Sequence, residues 1–297
     1  MEPAPLPPVR PARRLGAYYE LTKPGITGFV VMTAGVSYYV ALAGEAPLLP
    51  LLHTLLGTLL GTGGALALNQ YVEREVDARM VRTRTRPLPS GRMSPREALA
   101  FGALMLAVGV GYLWALVGWL PALLTAASAA SYLWVYTPLK SRSYLATLVG
   151  AVPGAIPALI GWSAATGRLE LGAFVLFGIA FLWQLPHVLA LAWLLREDYE
   201  RAGFFMTPPT DASGSRIGKH MVYHSVSLVT VSLFPTFLGL TGVLYLLGAL
   251  LLGALMLGAT ASAALEMTRP RARRVFLGSL LYQPLLLGLM LADTVRF

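Results

Sequence analysis

Nine apolar runs divide this chain, each near the length an α-helix needs to cross a bilayer, and the charged residues gather in the gaps between them. A hydrocarbon core is about 30 Å thick and a helix rises about 1.5 Å per residue, so roughly 20 residues span it. The runs lie near 25–44, 51–71, 98–118, 120–136, 145–166, 171–194, 222–243, 245–265 and 275–293. They are continuous and rich in Leu, Ala and Gly rather than alternating, which argues against a β-barrel. The expected fold class is all-α: a polytopic membrane protein with nine transmembrane helices. Only 12% of the 297 residues are charged, against about a quarter in an average soluble domain, so the charges are too few to cover a soluble surface.

Residues 1–24, rich in Pro and Arg, read as a short cytoplasmic lead, and 25–297 as one transmembrane domain. Ala41-Leu42-Ala43 resembles a signal-peptidase site, but the apolar stretch is longer than the roughly 7–15 residues of a signal peptide's apolar region. The absence of cysteine excludes disulfides, iron–sulfur clusters and thiolate ligation of zinc or haem. A net charge of +9 would suit nucleic acid, but its distribution points to topology and anionic lipid instead. With nine spans, Arg168 and Arg296 alone among the 23 basic residues fall on the face opposite the N-terminus. The positive-inside rule then puts the N-terminus in the cytoplasm of a cell (inner) membrane and the C-terminus outside. No nucleic-acid partner is expected.

The most informative stretch runs from Asn69 to Leu88. Asn69, Glu73 and Asp77 stand four residues apart, so a helix continuing through them carries all three on one face, about 6 Å per step. Oxygen ligands in a row at a helix mouth suit Mg²⁺, which keeps several waters and bridges carboxylates to phosphates. Arg82 and Arg86 follow closely enough to clamp the same phosphates. The alternative is an ordinary charged loop in which carboxylates offset arginines. Glu75 is two residues from Glu73 and from Asp77, so the helix turns it away from their face.

Two further clusters lie at the same expected face. Asp198 and Arg201 close the sixth span, offering a carboxylate and a cation or simply a solvated helix end. Tyr136, Lys140 and Arg142 follow the fourth span, which Pro138 is expected to end. Lys140 and Arg142 suit phosphate binding or headgroup anchoring equally. His187, beside Pro186 inside the sixth span, is an intramembrane ionisable residue and so a candidate functional residue. The bland reading is an imidazole bonded to a carbonyl freed by Pro186. His53, His220 and His224 sit near span ends and read as interfacial.

These residues carry a resemblance over nearly the whole chain. The spacing of Asn69, Glu73 and Asp77 resembles the first aspartate-rich motif of the intramembrane aromatic prenyltransferases, the family of 4-hydroxybenzoate polyprenyltransferase. The longer pattern adds Met80, Arg82-Thr83 and Arg86-Pro87-Leu88. With Leu21-Thr22-Lys23-Pro24, Tyr136-Thr137, Leu139-Lys140, Trp183-Gln184, Pro186-His187, Asp198-Tyr199, Arg201-Ala202-Gly203 and Met206, it is similar to the family's protoheme IX farnesyltransferase branch, the haem O synthases. The resemblance implies a helical bundle around a central prenyl-diphosphate cavity. It implies transfer of farnesyl from farnesyl diphosphate to haem B, giving haem O. Mg²⁺ is the implied cofactor, held by Asn69, Glu73, Asp77 and Asp198. Lys140 joins these four as a catalytic residue, while Lys23, Arg82, Arg86, Arg142, Arg201, Tyr136 and His187 bind substrate. The implied partners are the lipid bilayer, the two substrates and a haem-modifying enzyme. Glu73 stands where many relatives carry Asp, and the second motif shows only Asp198, with Glu197 beside it. A quinone-precursor prenyltransferase shares the metal motif. A transporter would place paired charges near the midplane, whereas these clusters gather at one face.

Overall fold

The computed structural model describes residues 11–208, 211 and 213–295, without the side chains of 11–13. Arg10, Arg13 and Arg296, which entered the charge distribution, lie outside the residues or side chains described. The elements are α1 (Pro11–Leu21), α2 (Pro24–Ala41), α3 (Leu48–Asp77), α4 (Pro95–Leu116), α5 (Trp119–Ala130), a π-turn (Ser131–Tyr136), α6 (Thr137–Leu139), α7 (Ala146–Thr166), α8 (Leu171–Leu194), α9 (Arg196–Ala202), α10 (Ser215–Phe237), α11 (Val243–Leu265) and α12 (Arg269–Ala292). Strand structure among the described residues amounts to one isolated bridge, Thr241 to Thr294.

Seven of these helices are long and apolar enough to cross a membrane: α2, α3, α4, α7, α8, α11 and α12. The other two expected spans differ in kind. Residues 120–136 are shared between α5 and the π-turn, and 222–243 fall on α10, whose first turns carry Arg216, Lys219 and His220. The chain is a multi-pass membrane protein, and its outer surface agrees: Leu104, Leu251, Leu255 and Leu281 are each more than half exposed, which suits contact with lipid.

Packing follows from small residues. α3 lies along α4, where a Cβ on Gly109 would sit 2.8 Å from the Gly61 Cα, so the two backbones approach as only glycine permits. α8 is surrounded by α7, α10 and α12, and the main core, including Trp162, Ile179, Trp183, Tyr245 and Tyr282, fills the space between them. Tyr245 meets its polar obligation there by donating to the Ser232 carbonyl at 2.9 Å.

Two local expectations change. Within the lead, Pro11–Leu21 is a helix whose Ala17 and Leu21 are fully buried. Gln70 Nε2 holds its end by donating to the carbonyls of Glu20 (3.1 Å) and Leu21 (3.0 Å). Its Pro- and Arg-rich composition masks a short apolar stripe. Nor does Pro138 end the fourth span: the backbone stays helical to Leu139. The wider π-turn immediately before it relaxes the clash that a proline ring meets in a regular α-helix.

Candidate functional site

α3 is 30 residues long, about 45 Å at the usual rise, so its last turns project beyond a hydrocarbon core. Those turns carry Asn69, Glu73 and Asp77 on one face, as the four-residue spacing requires, and all three are buried. Glu75 turns away, with its side chain 77% exposed and paired to Arg74 at 3.0 Å.

A different cation, from a different part of the chain, meets each member of the row. Lys23 Nζ donates to Asn69 Oδ1 at 2.8 Å. Lys140 Nζ donates to Glu73 Oε1 at 2.7 Å. Arg86 donates to Asp77 Oδ2 at 2.6 Å. Lys23 holds its position in left-handed backbone (φ 46°, ψ 65°), a conformation costing a non-glycine residue roughly 1–3 kcal/mol and characteristic of functional sites. Burial, with Arg86 nearby, pulls its ammonium down to about 7. Burial also disfavours charge on Lys140, but Tyr136 and Glu73 outweigh it and hold that ammonium above the usual lysine range.

Aromatic residues line the same mouth. Tyr132 donates to Asn69 Oδ1 at 3.3 Å, and Asn69 Nδ2 donates to Thr137 Oγ1 at 3.1 Å. The Lys140 ammonium lies 4.5 Å from the Tyr136 ring centre. Gly150 makes room for that ring: a Cβ there would stand 2.5 Å from the tyrosine's Cε2. The sequence reading missed Tyr132 and gave Thr137 no role. The one available signal for Tyr132 was its spacing of four from Tyr136. Both tyrosines face a cavity of about 210 Å³ between α2, α3, α5, α7 and α8, which runs past Ala65, Gly154 and Pro157 to Ile160.

The remaining candidates fall around this centre. Asp198 is buried and accepts from Arg201 (2.5 Å) and from the Val81 N–H (3.3 Å). It therefore ties α9 to the segment following Asp77. The Phe205 N–H donates to the Lys140 carbonyl at 2.7 Å, fastening the stretch after α9 to the loop after α6. Arg82 and Arg142 are exposed, and among the described residues neither pairs with a carboxylate. His187 lies apart from the row. Its Nδ1 is 2.8 Å from Ser279 Oγ, and its ring stacks between Trp183 and Phe276.

Among the described residues no three or more His, Cys, Asp or Glu side chains converge as a ready metal site. The row nonetheless fits Mg²⁺ shared with a phosphate ligand. Its donors are oxygens on one helical face, and Asp77 Oδ1 is buried without a hydrogen-bond partner. Leaving such an atom unsatisfied is costly, and a cation satisfies it.

Comparison with known proteins identifies the fold and the family. The UbiA prenyltransferase family matches residues 30–283. A protoheme IX farnesyltransferase of Solibacter usitatus is 47% identical over 285 residues, covering 93% of this chain and 98% of the relative. Another from Opitutus terrae is 42% identical, covering 93% and 94%. Among solved structures, one concerning digeranylgeranylglyceryl phosphate synthase shares the fold with a TM-score of 0.79 at 18% identity, covering 94% and 98%. A UbiA homolog from Archaeoglobus fulgidus bound to GPP and Mg²⁺ shares it at 0.62 and 15%, covering 92% and 99%. Over most of its length, in sequence and in fold, this chain belongs to the UbiA prenyltransferase family.

Proposed function

We propose that this protein is a prenyltransferase that moves farnesyl from farnesyl diphosphate to a vinyl group of haem B, giving haem O. The observation that carries the reading is the buried row Asn69, Glu73 and Asp77, ringed by Lys23, Lys140 and Arg86, at the mouth of an apolar cavity. The named relatives support haem as the acceptor.

The chain's residues account for the steps. Lys23, Lys140 and Arg86 surround the place where diphosphate charge develops, and Arg82, Arg142 and Arg201 extend the positive rim outward. Asn69, Glu73 and Asp77 would hold Mg²⁺, which when bound would supply Lewis-acid charge to the leaving group. As the C1–O bond breaks, its electron pair leaves with the diphosphate. The faces of Tyr132 and Tyr136 stabilise the allylic cation. The apolar cavity walls keep water from that cation. The vinyl π-pair then forms the new C–C bond to C1. One water adds to the resulting cation and releases a proton, leaving a hydroxyl. Asp198 serves as a positioning residue, through Arg201 and Val81.

The test is incubation of the purified chain with haem B, farnesyl diphosphate and Mg²⁺, followed by mass analysis. A product heavier than haem B by one farnesyl and one hydroxyl group is expected, and a chelator should abolish it. Prenylation of 4-hydroxybenzoate with haem untouched would replace this reading with the quinone-precursor one. The clustering of basic residues in the loops supports a cytoplasmic side for the row. A cysteine at exposed Ser90 should therefore react only with reagent admitted to that side. Labelling from outside sealed cells would reverse the orientation.

A further inference from the structure

We propose that the acceptor, a tetrapyrrole on the reading above, enters edge-on through a second cavity flanked by α7, α8 and α10, with His224 facing its iron. This cavity, about 210 Å³, is walled by Leu148, Leu185, Leu189 and Met206 and carries His220 and His224. α8 separates it from the prenyl cavity: Gln184 and Val188 line the first, Leu185 and Leu189 the second. At Thr147 the wall is one residue thick, because that side chain lines both. Its Oγ1 is buried without a hydrogen-bond partner.

The chain has four histidines, and the fold sorts them. His53 Nδ1 lies 2.6 Å from the Tyr112 hydroxyl. His187 Nδ1 is taken by Ser279, with aromatic rings on both faces. His220 and His224 stand one helical turn apart with ring centres 6.2 Å from each other, and neither has a hydrogen-bond partner among the described residues. A hydrogen bond at Nδ1 still leaves Nε2 to ligate; what sets His220 and His224 apart is that both line this cavity. His224 is the less exposed and is assigned to the iron; His220 sits at the rim.

A haem's chemistry matches this arrangement. Its macrocycle is flat and apolar, its iron takes neutral imidazole, and its carboxylates gather at one edge. Exposed Arg142 and Lys219, two residues from Tyr144 and one from His220, supply cations for that edge. The vinyl-bearing part then points inward, across Thr147, towards the cavity where C1 of the farnesyl chain is bound.

The experiment uses the full chain in lipid nanodiscs, titrated with haem B and followed by its Soret band. Farnesyl thiodiphosphate binding, measured on the same samples, reports the prenyl site independently. His224→Ala should raise the haem dissociation constant by roughly tenfold or more and move the Soret band. Leu189→Trp, which fills the cavity without touching a histidine, should weaken haem binding comparably. Farnesyl thiodiphosphate affinity should hold in both variants, and His53→Gln should change neither ligand. Unchanged haem titrations in His224→Ala and Leu189→Trp would overturn the proposal. So would loss of the wild-type Soret shift on His187→Ala alone. A wild type that binds haem at His224 but never farnesylates it would break the functional reading and leave this pocket standing. A wild type that makes product while His224 and Leu189 prove indifferent would do the reverse.

Discussion

The two acidic clusters that meet beneath the loops differ in how their charges are housed. In the α3 cluster, Glu73 and Asp77 are buried and paired with Lys140, 67 residues away, and Arg86, in the loop that follows, both largely enclosed. In the α9 cluster, Asp198 pairs with its own neighbour Arg201, whose side chain is 52% exposed. Asp198 is about as buried as Glu73, but its partner lies largely in water, where an ion pair contributes little. A carboxylate whose partner is enclosed with it governs both charge and geometry. We propose that the chemistry belongs to the first cluster and that the second holds the loops together.

The largest effect that tests this contrast is at Asp77. Asp77→Asn keeps the shape, removes the charge and should lower turnover by about 10²–10³-fold. Glu73→Gln should do the same and also cost roughly 3–5 kcal/mol of stability, because it leaves the Lys140 ammonium buried and unpaired. The double change Glu73→Gln, Lys140→Met should recover thermal stability in detergent without recovering turnover. Near wild-type turnover in the single variants would remove the diphosphate site from α3.

Asp198→Asn should have an intermediate effect, roughly tenfold on turnover, through slackening of the Val81 and Arg201 contacts. A loss as deep as that of Asp77→Asn would make the two clusters equals and bring Asp198 to the metal. Gly150→Ala pushes the Tyr136 ring and should raise the KM for farnesyl diphosphate a few-fold, about 1 kcal/mol. Glu75→Gln should be smallest, within about twofold, since its pair with Arg74 is exposed. A large effect at Glu75 would mean that bulk charge near α3, not the buried row, is what matters.

The legibility of the site followed the range of its interactions. The row on α3 was readable because a helix repeats locally, so a spacing of four fixes a shared face. Glu75 turned outward for the same reason. Its burial, and the cation each member meets, were not readable. Lys23 reaches Asn69 across 46 residues and Lys140 reaches Glu73 across 67. No local rule chooses Arg86 over Arg82 for Asp77. Tyr132 was missed because an aromatic residue at a helix end reads as an interfacial anchor until the helix it faces is known.

The sequence alone determined that this chain lives in a membrane, that it is helical, and that its charged residues gather between the apolar runs. Apolar length and charge clustering are properties of single segments, and the bilayer imposes them segment by segment. Only the tertiary structure decided which charges are dry, where the apolar cavity beside α3 runs, and which histidines line a cavity. His187 looked the strongest haem contact because it lies inside a span, yet α12 brings Ser279 and Phe276 against it. His220 and His224 looked interfacial, yet α10 turns them towards a cavity shared with α8. Helix crossings set those contacts, and crossings depend on side chains from segments far apart in the chain.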